Sequence, residues 1–438
     1  MVEPGGLITP VAGPPPRWTW LFGHGGGLYS RIGAVLTAGV VLLAPVLTPV
    51  VDHGGSTLFM VVAVYSLGAL ASLPGRWRVL EPDERAVLLG LLVLFLAPLA
   101  SLVNADDLDS FLKTYERFAR FLLIIPVYLM VRGLRLDLWP FLVAGCVLAG
   151  PVMAVVAWHD VEILRYPRAL GAYHPIVFGD IAVLVSLFLL VWLAATRWSL
   201  WHALLVGSLP AALYAAVLTQ TRGAWVTLAL CLPIVAVAGV SRRGQRIAPV
   251  ALAALLLSVA LVWMAWPTLK HKYDDTLRNY QRWSEGEIAM NSLGNRIEMW
   301  KLSLDLWREH PVAGTGAGDF KSHIIEARKD DGAEFILDFD HAHSIYLHYL
   351  ATTGLIGFIA MLFGLIILPI RFFIRAIGPP GSGAGEPQAW AGVVLVTAFA
   401  LFGLTETWTV RSPLISLFAI LLPVLMASAA GRRPLEDR

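Results

Sequence analysis

Apolar stretches of about 17–25 residues follow one another along almost the whole chain, separated by short polar breaks. A helix of that length crosses a hydrocarbon layer about 30 Å thick, and a soluble domain could not hide a dozen of them. Composition agrees: of 438 residues 57% are hydrophobic and only 15% charged, against roughly 25% charged in soluble domains. The same numbers exclude a disordered chain and a secreted disulfide scaffold. A formal net charge of +2 argues against a nucleic-acid binder. Cys146 and Cys231 both lie inside apolar runs and read as buried, inert thiols. The chain reads as an all-α polytopic membrane protein.

Spans are predicted near 31–51, 56–73, 85–103, 118–131, 138–157, 175–196, 198–218, 222–240, 247–266, 344–372, 389–407 and 412–430. That makes about 12 transmembrane helices in three parts: nine helices in residues 1–266, one long hydrophilic loop over 267–340, and three helices with a short tail in 341–438. The first eighteen residues are rich in Gly and Pro and lack a basic-then-apolar layout, so the first span is expected to serve as the targeting signal. With the N-terminus inside, sixteen basic residues fall in inner loops and seven in short outer ones. That bias predicts both termini in the cytoplasm and the long loop on the outer face. Within the loop, Met299, Trp300, Ser303, Leu304, Leu306 and Trp307 recur at helical spacing, predicting an amphipathic helix over 296–309 that packs on the bundle or the membrane surface.

Polar groups that are costly to place in a membrane mark candidate sites. In Thr219-Gln220-Thr221-Arg222-Gly223-Ala224-Trp225, an arginine sits where the eighth span begins. Helix N-termini attract anions through free N–H groups and the dipole, and a guanidinium adds a planar fork suited to phosphate oxygens. Arg296 likewise opens the loop helix, after Ser292 and Asn295, either of which could cap it. At the third place, Asp338, Asp340, His341, His343 and His348 gather where the loop re-enters the membrane. Read as helical, these histidines share no face, so no metal is expected there, and Asp338 or Asp340 is expected to cap the helix. A histidine in the first turn feels the positive helix end and stays neutral, as a general base must.

These three places, in this order, resemble the O-antigen ligase and polymerase superfamily. The resemblance rests on Thr221-Arg222-Gly223-Ala224-Trp225, on Arg296, Trp300 and His310-Pro311-Val-Ala-Gly314-Thr-Gly316, and on His343-Ser344 followed after nine residues by Gly354-Leu-Ile-Gly357. It implies a GT-C-like membrane fold with one long periplasmic loop containing helices. It also implies transfer of a glycan from undecaprenyl diphosphate to lipid A-core at the periplasmic face of the inner membrane. On that resemblance Arg222 and Arg296 would hold the diphosphate and His343 would be the catalytic base, with His341, Trp225, Arg168 and Arg411 as possible auxiliary residues. With arginines to neutralise the leaving diphosphate, no metal or other cofactor is expected, and attack opposite the diphosphate would invert the anomeric centre. An O-antigen polymerase and, from another class, a transporter are the alternatives. For a transporter, no repeat of two halves and no pair of interrupted spans is visible.

Overall fold

The computed structural model describes residues 28–134, 136–196, 199–243, 292–327, 339–378 and 386–430, together with five isolated positions between 270 and 281. Its elements are helical. The first half comprises α1 (Leu28–Val50), α2 (Gly54–Ser66), a short α3 (Leu73–Val79), α4 (Pro82–Leu96), α5 (Leu108–Gly133) and α6 (Trp139–Trp158). Then come α7 (Pro175–Ala195), α8 (Leu205–Leu218), α9 (Arg222–Arg243), α10 (Ser292–Glu309) and α11 (Phe320–Ala327). The chain closes with α12 (Ile345–Met361), α13 (Leu368–Ile377), α14 (Glu386–Phe402) and α15 (Ser412–Ala429).

Nine of the described helical segments are long and apolar enough to cross a membrane. Eleven of the twelve predicted spans fall on helices; the span over 247–266 lies outside the described residues. The one predicted at 118–131 is the C-terminal half of the 26-residue α5, whose N-terminal half carries Lys113, Glu116 and Arg117 and so breaks the apolar pattern. Its start is fixed by Asp107, whose carboxylate accepts from the N–H groups of Asp109 and Ser110. Among the nine, α7 and α15 are the most enclosed, each 83% buried over its apolar window. Such all-round apolar helices need neighbours on every side.

Polar residues sort to the two ends. At one, Glu84 is fully buried, closing a capping box at the start of α4 and accepting from Arg132 Nε at 2.8 Å and from Tyr128. At the other end meet the C-termini of α1, α6, α8 and α14 and the N-termini of α2, α7, α9, α12 and α15. The α6–α7 loop lies against α1 there, where Ala172 N–H donates to the Pro49 carbonyl at 3.0 Å. α1 therefore starts, and α15 finishes, at the end opposite this cluster.

α10 exists for the predicted reason: Met299 and Leu306 form a small core with Phe320, Ile324, Ala342 and Ala351, which lays the helix on the segment preceding α12 and on α12 itself. Beyond it, residues 311–316 dock on a break in α12. At Gly354 the chain turns to φ 59°, ending the helical ladder and exposing backbone groups. The loop supplies their partners. Leu355 and Ile356 N–H donate to the carbonyls of Pro311 and Val312, while Thr315 and Gly316 N–H donate to those of Ala351 and Thr352, all at 2.9–3.2 Å. Non-helical backbone at membrane depth needs such partners. A Cβ at Gly354 would lie 2.3 Å from the Val312 oxygen, so glycine is required twice over, by dihedral and by space.

Candidate active site

Five segments close over the cluster of helix ends: the α6–α7 loop with Arg168 and His174, the α8–α9 turn, the start of α10, the irregular segment 339–344 and the α14–α15 turn. The α8–α9 turn is pinned by its hydroxyls and amide. Thr221 Oγ1 donates to the Pro175 carbonyl at 2.9 Å, and Gln220 Nε2 donates to the Pro167 carbonyl at 3.0 Å. This leaves Arg222 as the exposed first residue of α9, with Gly223 pressed so close to Thr405 that a Cβ would sit 2.3 Å from its hydroxyl. Trp225 is half-buried and donates its indole N–H to the Ala216 carbonyl at 3.2 Å, tying α9 to α8.

The organising group is Glu406, fully buried in the α14–α15 turn. Its Oε1 lies 2.8 Å from His341 Nε2 and accepts from Arg411 Nε at 3.2 Å and from Thr407 N–H at 3.1 Å. Its Oε2 stands 3.3 Å from His343 Nδ1. Burial pushes the Glu406 carboxyl upward, but the two histidines and the charge of Arg411 beside it win, holding its pKa well below the usual range. It is a carboxylate.

His341 lies between two carboxylates, with Nδ1 2.5 Å from Asp340 Oδ1 and Nε2 on Glu406. Burial opposes its charge, yet the two acids outweigh burial and Arg411, and its pKa rises. His343, 4.3 Å away between ring centroids, moves the other way. Burial dominates there, helped by the charges of His341 and Arg296, and the nearby Glu406 carboxylate offsets it only in part. Two imidazoles of one irregular segment are thus driven apart, one toward imidazolium and one toward the neutral base, a pattern expected where acid and base roles are divided. His343 Nε2 has no partner among the described residues.

Arg296 is half-buried, and its charge is felt together with those of Glu406, Arg222, Arg168 and Asp180. Burial lowers its pKa, as it lowers that of Arg168. His174 caps α7 by accepting the Ile176 N–H at Nδ1. Burial and the charge of Arg411 depress its pKa to about 4, and it senses Arg168, Glu406 and His343 as well. Arg168, Arg222, Arg296, Arg411, His341 and His343 therefore share one electrostatic neighbourhood.

Three sequence expectations need correction. Neither Asp338 nor Asp340 is seen to cap α12: the cap position is Ser344, Asp340 is bound to His341, and Asp338 lies outside the described residues. His343 is not in the first turn. It precedes the helix with φ 48°, in the left-handed region, and its neutrality comes from burial rather than from a helix end. And since 341–343 is not helical, the argument from helix faces does not hold: His341, His343 and Glu406 offer ligand atoms all within 4.8 Å of one another. Sequence reasoning missed Glu406, although an acid inside a predicted span, here 389–407, is itself the signal.

Residues 207–362 match the family model described as O-antigen ligase. That segment contains Arg222, Arg296, His341 and His343 and ends before Glu406 and Arg411. Among curated proteins, one from Haemophilus influenzae described as an uncharacterized protein is similar, being 22% identical over 300 residues, which cover 67% of this chain and 73% of that relative.

Proposed function

We propose that this chain, which belongs to the O-antigen ligase family through residues 207–362, transfers a glycan from undecaprenyl diphosphate to a sugar hydroxyl of lipid A-core. Members of the family are glycosyltransferase-like ligases and polymerases, embedded where lipid-linked glycans lie. The observation that carries the reading is the meeting of guanidinium groups with a neutral imidazole backed by a buried carboxylate, at one end of a helical bundle.

In this reading Arg222 and Arg296 grip the diphosphate, with Arg168 and Arg411 adding positive field, and their charge stabilises the leaving group as the glycosidic bond breaks. A sugar hydroxyl is too weak an acid to ionise beforehand. His343 takes its proton at Nε2 as the new C–O bond forms, while Nδ1–H faces Glu406 Oε2, so the carboxylate selects the tautomer and steadies the imidazolium that results. Attack on the face opposite the diphosphate inverts the anomeric carbon. Arginines take the place that a divalent ion holds in many diphosphate-using enzymes, so the transfer is metal-independent. We place the site on the periplasmic side of the inner membrane with both termini cytoplasmic; this fits an α1 that starts and an α15 that finishes opposite the site.

Purified protein, given polyprenyl-diphosphate glycan and lipid A-core, is expected to form the conjugate in the presence of a chelator, and the His343→Ala variant is not. Undiminished transfer by that variant removes the base. Elongation of the donor glycan with no transfer to lipid A-core identifies a polymerase instead.

A further inference from the structure

The geometry points to a latent zinc site at His341, His343 and Glu406, one that inactivates the transfer reaction by capturing its base; the inhibitory part rests on the function proposed above, the binding part does not. Two imidazoles and a carboxylate are a ligand set that zinc takes in enzymes, with a fourth position left open. Ligands at zinc's usual 2.0–2.2 Å and tetrahedral angles lie about 3.4 Å apart. Here Glu406 is 2.8 Å from His341 Nε2 and 3.3 Å from His343 Nδ1, and no pair of ligand atoms exceeds 4.8 Å. Only small side-chain shifts separate this arrangement from coordination.

Two further observations favour an ion. Glu406 Oε2 and His343 Nδ1 are both buried, and neither makes a well-formed hydrogen bond. A metal between them would satisfy both at once. And Asp340 accepts from His341 Nδ1, the outer carboxylate that holds a zinc-bound imidazole in the tautomer whose Nε2 binds metal. On binding, zinc replaces the proton at His341 Nε2, which passes to water, and the proton at His343 Nδ1, which moves through water to Nε2, so the nitrogen that would take the hydroxyl proton is already occupied. The opposing group is Arg411, whose Nη2 lies 3.3 Å from His341 Nε2; its side chain is 28% exposed and can swing outward. Imidazole nitrogens disfavour Mg2+ and Ca2+, which prefer oxygen.

The test titrates the full-length protein in detergent with Co2+, then displaces it with Zn2+, with neither donor nor acceptor present. Wild type is expected to bind one equivalent with the visible absorption of a tetrahedral cobalt site. His343→Ala should abolish that band, Asp340→Asn should weaken binding about 10–100-fold, and Arg411→Gln should tighten it. Asp340 is half-exposed, so its variant keeps the test open if the His343 change disturbs folding. No band, or a band that both the His343 and Asp340 variants retain, overturns the site. In the transfer assay Zn2+ should inhibit wild type, with recovery on chelation. Stimulation by Zn2+ would overturn the inhibitory role, and the metal-free reaction with it, while leaving the binding result intact.

Discussion

Glu406 Oε2 sits 3.3 Å from Nδ1 of His343, sixty-three residues earlier in the chain. The carboxylate is buried to the last atom and comes from a different element than the imidazole it faces. An uncompensated charge at that depth would be expensive, so the neighbouring His341 and Arg411 are part of the same unit.

Glu406→Gln keeps the shape and removes the charge. The turnover number is expected to fall on the order of 10²-fold, within the range assigned to a positioned proton transfer, with the acceptor KM little changed. Glu406 raises the pKa of His343, so its loss moves the acid limb of the pH–rate profile to lower pH. A profile that stays in place would assign Glu406 to folding alone.

His343→Ala should lower turnover by about 10²–10⁴-fold without weakening donor binding, which the arginines carry. Equilibrium binding of the donor in detergent, measured beside the transfer rate, separates the two effects.

Arg296→Ala and Arg222→Ala should act on donor affinity. A charged hydrogen bond contributes about 1.5–3 kcal/mol, which corresponds to roughly 10–150-fold in the donor KM. Lysine at either position should rescue only in part, because the ammonium lacks the planar fork.

The acid–base pair predicts a stability window. The folded pKa of Glu406 is depressed, so its contribution is present above its ordinary value of 4.5 and is lost as pH falls through the lower folded value. That of His341 is raised, so its contribution is full below 6.5 and is lost as pH rises through the folded value. His174 and His343, whose pKa values are lowered, act in the opposite sense below pH 6.5, so the test is a difference: thermal melts of wild type and His341→Gln should differ most below about pH 6.5 and converge on the alkaline side.

Gly354→Ala tests the broken helix. With φ 59° and a 2.3 Å approach to the Val312 oxygen, the variant should lose about 1–3 kcal/mol. Lower yield and a lower melting point would show it. A variant as stable as wild type would mean that the break relaxes freely.

The spans were legible because hydropathy acts over twenty residues at a time, and α5 was legible only in its apolar half for the same reason. Arg222 and Arg296 stood out as cations at helix starts; α9 does begin at Arg222, whereas α10 begins at Ser292, which puts Arg296 a turn inside it and rules out Asn295 as its cap. Glu406 did not, because the window that found a span over 389–407 averaged one acid into its apolar neighbours. The local conformation of 339–344 was misread as helix. Asp340 is satisfied by His341, and His341 by Glu406 from a distant turn; no local pattern encodes such partners. His343, found by motif spacing, was assigned its neutrality for the wrong reason.

The docking of residues 311–316 on the break in α12 has a mechanical meaning. α10, which bears Arg296, runs directly into that stitched loop, and α12 follows His343 by two residues. Guanidinium and imidazole thus hang from one backbone frame, joined by four main-chain bonds across Gly354. Whatever tilts the frame carries both together, so the reach from carrier phosphate to attacking hydroxyl is gauged by the scaffold rather than by the wandering of two long side chains.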